Sequence, residues 1–178
     1  MRTVAVLPIK RFAAAKQRLA EDFTAGTRRA IVEAMITDVL IGLRRAKQVD
    51  QVLVVTGDSA VEALAHGYDA ETVHDPEDTG HSKAAIVGVR EAIARGARRV
   101  LLVPGDCPAI DPKEVDALVA RGARTGPSEY TSVIASASSG RGDVSTSAMT
   151  ASSSASISAS MARSSSAVAH LLEVSAAA

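Results

Sequence analysis

The stretch Arg99-Val-Leu-Leu-Val-Pro-Gly-Asp-Cys-Pro108 constrains this chain most. Residues 100–103 form a short, unbroken apolar run. Its length and β-branched content predict a strand buried on both faces. Pro104 removes a ladder donor and Gly105 permits a sharp turn, so the strand ends there. Asp106 is the first charged side chain past the turn. In a parallel sheet it stands beyond the carboxyl end of a central strand, where open α/β sheets bind ligands. A carboxylate so placed is a natural ligand for Mg²⁺ on a nucleotide phosphate. The plainer reading makes Asp106 a turn former that caps the next helix.

Two further runs repeat the pattern. Residues 3–7 are apolar and β-branched, and Pro8 ends them. Residues 52–55 form a second buried run, with Thr56-Gly-Asp58 as the exit turn. A shorter strand is expected at residues 70–73, and another at Val133-Ile134. Helical segments lie between the strands. Thr24 is a candidate cap for a helix whose apolar face is Ile31, Val32, Met35, Ile36, Val39, Leu40 and Leu43. Ser59 is the expected cap of a short helix that carries His66 to the surface. Ser82 is the expected cap of a helix whose apolar face is Ala85, Ile86, Val89 and Ile93, ended by Gly96. Asp111 caps a helix with Pro112 at its first position, running to about Gly122. Strands alternating with helices predict a three-layer α/β sandwich with a mainly parallel, Rossmann-like sheet.

In such a fold the strand exits share one edge, and their chemistry converges there. Lys10, Arg11, Lys16 and Arg18 follow the first strand closely, where phosphate chemistry needs cations. The alternative is a solvated basic loop. The stretch is not a Walker loop, because it lacks the glycine spacing and the Gly-Lys-Ser/Thr ending. The loop His74-Asp-Pro-Glu-Asp-Thr-Gly-His81 carries two histidines and three acids. Its spacing matches no standard zinc pattern, so metal binding through these histidines is not the favoured reading. A helix beginning just after Gly80-His81 favours a bound anion.

Composition removes several other classes. The 178 residues fit one domain, 1–178. Twenty basic residues balance twenty acidic ones, so charge points to neither nucleic acid nor membrane. Aromatic residues are 2% and Trp is absent, which argues against a base-stacking surface. Cys107 is the lone cysteine, so no intrachain disulfide forms. Met1-Arg-Thr-Val-Ala-Val-Leu-Pro reaches a proline too soon for a secretory h-region, and no apolar run spans a bilayer. The expectation is a cytoplasmic protein. After Thr125 Ser and Ala make up roughly half of the residues. The segment 125–178 therefore reads as a divergent part that buries little apolar area. It is either a flexible tail or an altered sequence.

Taken together, Leu7-Pro-Ile-Lys10, Ala15-Lys-Gln-Arg-Leu19, Asp38-Val-Leu40, Gly80-His81 and Pro104-Gly-Asp-Cys-Pro108 fall in a familiar order and spacing. Over roughly its first 125 residues the chain resembles the 2-phospho-L-lactate guanylyltransferases. The actinobacterial counterpart of these enzymes uses phosphoenolpyruvate. The family shares the nucleotidyltransferase fold of the molybdopterin-guanine dinucleotide enzymes. The resemblance implies that GTP and a phosphorylated three-carbon acid give a guanylated diphosphate and pyrophosphate, in coenzyme F-420 biosynthesis. It implies Mg²⁺ at Asp106. It gives triphosphate binding to the loop Leu7-Pro8-Ile-Lys10 with Lys16 and Arg18, beside which Arg11 stands as a further nucleotide-binding candidate, and a nucleotide pocket lined by Gly80 and His81. It favours a homodimer. It calls for no covalent nucleophile, and Cys107 is not read as one.

The later part departs from the family. A Pro-Asp-Arg then Gly-x-Gly-Thr segment is represented here only by Gly140 and Gly142, which stand as nucleotide-pocket candidates. A Phe-Gly-x-x-Ser segment for the acid substrate has no match near residues 157–161. Residues 169–174, Ala-His-Leu-Leu-Glu-Val, again look like the family, whose second acidic motif lies beyond them. Two rival readings follow: a nucleotidyltransferase with another acceptor, and a nucleotide-binding protein impaired in catalysis.

Overall fold

Successive side chains in the central strands are buried on opposite faces, which is what their unbroken apolar runs require. In β1 (Thr3–Pro8) Ala5 and Leu7 join one core, while Val4 and Val6 join the other. β2 (Gln51–Thr56) divides Val52 and Val54 from Leu53 and Val55 in the same way. β4 (Arg99–Leu102) divides Leu101 from Val100 and Leu102. The computed structural model describes residues 1–11, 23–75, 81–122, 131–133, 135–136, 146–148 and 168–173.

β1 pairs in parallel with β2 on one side and β4 on the other, and β2 pairs in parallel with β3 (Glu71–His74). The described sheet runs β3-β2-β1-β4-β8-β6. The first core is filled by α1 (Ala25–Arg45), α2 (Ser59–Gly67) and α4 (Pro112–Gly122). The second is filled by α3 (His81–Ala94). This is the α/β sandwich with a mainly parallel sheet expected from the sequence, and the strands expected to be central are central.

Most helix ends lie where their chemistry predicts. Thr27 N–H donates to Thr24 Oγ1 at 3.2 Å, so Thr24 caps α1. Lys113 N–H donates to Asp111 Oδ1 at 2.8 Å ahead of α4. Gly96, at φ +82°, closes α3: its N–H reaches Ile93 O at 2.9 Å, and Ala97 N–H reaches Ala92 O at 2.9 Å. That pair of bonds satisfies carbonyls the helix end would otherwise leave open, and it needs a left-handed residue.

Three expectations need correcting. The cap of α2 is Asp58, whose Oδ1 accepts from Ala60 N–H at 3.0 Å, and Ser59 is the first helical residue. Both residue types cap well, and the carboxylate took the position. Ser82 is not a cap, because α3 begins at His81. The buried face of α3 is Ala84, Ala85, Gly88, Val89 and Ala92, whereas Ile93 is 42% exposed and Ile86 half-buried. The cause is the close approach of α3 to the sheet at Gly88. A Cβ there would overlap Val6 Cγ1 and lie 2.7 Å from Val55 Cγ2. Small residues face the sheet and push the larger ones outward.

The Ser/Ala-rich segment is not wholly a tail. Residues Val168–Glu173 form β8, which pairs antiparallel with β4 in the central sheet. β6 (Ala135–Ser136) adds antiparallel to β8. β5 (Thr131–Val133) pairs with β7 (Thr146–Ala148), so the strand expected at Val133-Ile134 is present as far as Val133. β8 carries Val168, Leu171 and Leu172, and the small-residue strands β5, β6 and β7 need only backbone ladders, which depend little on side-chain size. Ile134 lies outside the described residues.

Candidate active site at the strand exits

The order β3-β2-β1-β4 places a topological switch point between β1 and β4. The chain leaves β1 for β2 and β3 on one side, then crosses to β4 on the other. Open α/β sheets bind ligands in the crevice this creates at the carboxyl ends of the strands.

Both walls of the crevice are fixed by backbone bonds. Pro8, the last residue of β1, is buried, and just past it Ile9 N–H donates to Val55 O at 2.9 Å. Lys10 and Arg11 follow and are exposed. Past β4, Val103 N–H donates to Val6 O at 3.0 Å, which carries the ladder up to Pro104. Gly105 turns the chain against Ile9, and Asp106 projects as an exposed carboxylate. The structure therefore brings Pro8, Lys10, Arg11 and Asp106 to one edge of the sheet. His81 opens α3 on the stretch that leaves β3. Lys16, Arg18, Gly80, Gly140 and Gly142 lie outside the described residues.

Cys107, beside Asp106, is 5% exposed and belongs to the first core. Burial, and then the Asp106 charge, push its thiol from 9.0 up to about 11. A thiol so held stays protonated near neutrality and is a poor nucleophile.

On the other side of β1, at the same edge, is the exit of β2. Thr56 is buried, its Oγ1 accepts from Asp58 N–H at 3.2 Å, and its carbonyl accepts from Asp75 N–H at 2.9 Å. Gly57 lies so close to Asp75 that a Cβ on it would overlap the Asp75 carbonyl oxygen. The same point is 3.5 Å from Arg11 Nη2. Arg11 therefore lies over the β2 turn. From the sequence Gly57 is an ordinary turn residue. The only available signal was a glycine directly after a strand, which often marks a close backbone approach.

His74 is drawn away from this edge. Its Nδ1 lies 3.1 Å from Glu62 Oε1 on α2. Among the described residues, no three His, Cys, Asp or Glu side chains cluster tightly enough to hold a metal ion. No helix among them is long and apolar enough to cross a membrane.

A family profile described as the MobA-like NTP transferase domain matches residues 32–174. The chain belongs to this family. Among its relatives is a phosphoenolpyruvate guanylyltransferase of Conexibacter woesei, 50% identical over 121 residues, or 68% of this chain and 54% of that one. A protein of the same name from Mycolicibacterium paratuberculosis is 36% identical over 118 residues, 65% of this chain and 54% of that one. The chain spans about half the length of these curated relatives. Among solved structures, a nucleotidyl transferase from Methanothermobacter thermautotroptrophicus is 26% identical. It superposes with a TM-score of 0.51 over 67% of this chain and 57% of that one. A 4-diphosphocytidyl-2C-methyl-D-erythritol synthase, 13% identical, shares the fold with a TM-score of 0.57 over 97% of this chain and 75% of that one.

Proposed function

We propose that this chain is a guanylyltransferase that joins GTP to phosphoenolpyruvate or 2-phospho-L-lactate and releases pyrophosphate. The proposed setting is coenzyme F-420 biosynthesis in the cytoplasm, with residues 1–178 acting as one domain and the protein as a homodimer. The observation that carries this reading is the crevice between β1 and β4. At the same sheet edge stand a carboxylate, Asp106, past β4 and two cations, Lys10 and Arg11, past β1. The names of the Conexibacter and Mycolicibacterium relatives supply the base and the acceptor.

The donor set decides what kind of metal fits. Asp106 is one exposed carboxylate and has no described cluster of acids around it. That excludes a cage built from described protein ligands alone. It suits Mg²⁺, which usually takes one or two carboxylates and completes its shell with phosphates and waters. Asp106 would hold the ion, which when bound supplies positive charge against the phosphate oxygens.

The protein's own part is binding and orientation. Lys10 and Arg11, with Lys16 and Arg18, would hold the triphosphate and stabilise charge developing on the leaving pyrophosphate. Gly80, His81, Gly140 and Gly142 would line the nucleotide pocket. The acceptor's phosphate oxygen attacks the α-phosphorus, a P–O bond to it forms, and the bond to pyrophosphate breaks. No side-chain nucleophile takes part, in keeping with a protonated, buried Cys107.

A coupled pyrophosphate assay tests the reading. The chain with Mg²⁺ and GTP should release pyrophosphate only when phosphoenolpyruvate or 2-phospho-L-lactate is present. Release with CTP or ATP and not GTP would replace the base. Calorimetric GTP binding with no pyrophosphate release would make the chain a nucleotide-binding module.

A further inference from the structure

Gly57 lies at a corner shared by three strand exits. A side chain there would overlap the Asp75 carbonyl oxygen, which is backbone and cannot swing aside. The Asp75 peptide is also tethered, since its N–H donates to Thr56 O at 2.9 Å. Thr56 in turn is buried, and its Oγ1 holds the Asp58 N–H. The corner is therefore stiff on the β2 and β3 sides. Arg11 comes to it from β1, with Nη2 3.5 Å from the point a Gly57 Cβ would occupy.

We infer that Gly57 is a positioning residue for the nucleotide's phosphates. By carrying no side chain it lets the Asp75 peptide close over the β2 turn, and it gives the Arg11 guanidinium a flat backbone surface to lie on. A long cationic side chain loses much rotamer freedom when it binds an anion. A surface that already confines Arg11 removes part of that loss before the ligand arrives. The ligand class is a nucleoside triphosphate, bound through its phosphates. The inference rests on the triphosphate reading of Arg11 given above, and it adds a residue that touches no ligand itself.

Adding one methyl breaks the arrangement. Gly57→Ala forces the Asp75 peptide or the β2 turn to move, and the added methyl itself would stand 3.5 Å from Arg11 Nη2. The test is a double-mutant cycle read by calorimetric titration of Mg·GTP and of guanosine. Arg11→Gln should weaken Mg·GTP binding about tenfold, the size of a lost hydrogen bond to a charged group. Gly57→Ala should weaken it by a similar factor. The double variant should be no weaker than Arg11→Gln alone, because a residue acting through Arg11 has nothing left to position. Guanosine, which has no phosphates, should bind all three variants as it binds the parent. Additive losses in the double variant would overturn the inference, and so would equal loss of guanosine binding.

If Gly57→Ala does not fold, hydrogen exchange on the parent and Arg11→Gln decides the matter. Mg·GTP should slow exchange at the amides of Gly57, Asp58 and Asp75 in the parent and not in Arg11→Gln. Equal slowing in both would overturn the inference. If the parent binds no nucleoside triphosphate, the functional reading falls and takes the inference with it. If Arg11→Gln weakens binding and Gly57→Ala does not, the inference alone falls.

Discussion

Gly105 rests against Ile9: a Cβ on Gly105 would stand 3.1 Å from Ile9 Cγ1 and 3.5 Å from its Cδ1. These residues follow different strands and are far apart in sequence. Their contact joins the loop that carries Asp106 to the loop that carries Lys10 and Arg11. Gly105 has no left-handed backbone to protect, so its role is one of space.

Replacing Gly105 with Ala sets two effects against each other. Removing a glycine stiffens the unfolded chain and stabilises by about 0.4–1 kcal/mol. Crowding a buried side chain costs about 1–3 kcal/mol. Ile9 is 8% exposed and has little room to give, so crowding should win by roughly 1 kcal/mol. Urea denaturation measures this. In an Ile9→Ala background the same change should be neutral or stabilising. A stabilising Gly105→Ala in the parent would contradict the contact.

Gly88 gives a sharper case. In an exposed helix Gly→Ala gains about 1 kcal/mol of helix propensity. Here the new Cβ would overlap Val6 and come 2.7 Å from Val55, both at the floor of the sheet. Packing should outweigh propensity, and Gly88→Ala should lose roughly 1–2 kcal/mol. A Val6→Ala partner should recover much of the loss. A Gly88→Ala variant that melts higher than the parent would mean that α3 stands further from the sheet than described.

Cys107 predicts a pH dependence. Its thiol is held up at about 11, against an ordinary 9.0, by burial first and by Asp106 second. The folded chain therefore binds this proton more tightly than the unfolded chain. The stability this adds is full below pH 9 and is lost as pH rises towards 11. Urea midpoints across that window should fall more steeply in the parent than in Cys107→Ala. At pH 8 a thiol reagent should label Cys107 slowly in the folded chain and fast in urea. Fast labelling in the native state would remove the thiol from the core.

The fold was legible where one local rule decided the outcome. β1, β2 and β4 are built on apolar runs that end close to Pro8, Thr56-Gly57 and Pro104, although the ladder takes in Pro8 and Thr56 as last strand residues. Thr24, Gly96 and Asp111 mark helix ends with chemistry that has few alternatives. Legibility failed where distance decided. Ile93 keeps helical spacing with Ala85 and Val89, yet the close approach at Gly88 turns it to solvent. Asp58 and Ser59 are both good caps, and only geometry chooses between them. β8 is a short apolar run, Val168–Glu173, hidden by the Ser/Ala composition of the segment before it, and only its pairing with β4 makes it a strand of the central sheet.

The candidate site divides along the same line. Asp106, Lys10 and Arg11 could be assigned to one edge because parallel strands share their carboxyl ends. The Gly57 corner could not, because it depends on Asp75 and Arg11 each approaching Gly57 from a neighbouring strand exit.

The central claim is that the Asp106 carboxylate holds a metal ion against a bound nucleotide. Asp106→Asn keeps the size and the turn preference and removes the charge. Calorimetric titration of GTP, with and without Mg²⁺, on parent and variant measures the claim directly, with melting curves beside it. The melting temperatures should agree closely. Mg²⁺ should tighten GTP binding in the parent, and most of that gain should vanish in Asp106→Asn. Equal Mg²⁺ dependence in the two proteins would leave Asp106 as a turn residue and contradict the account.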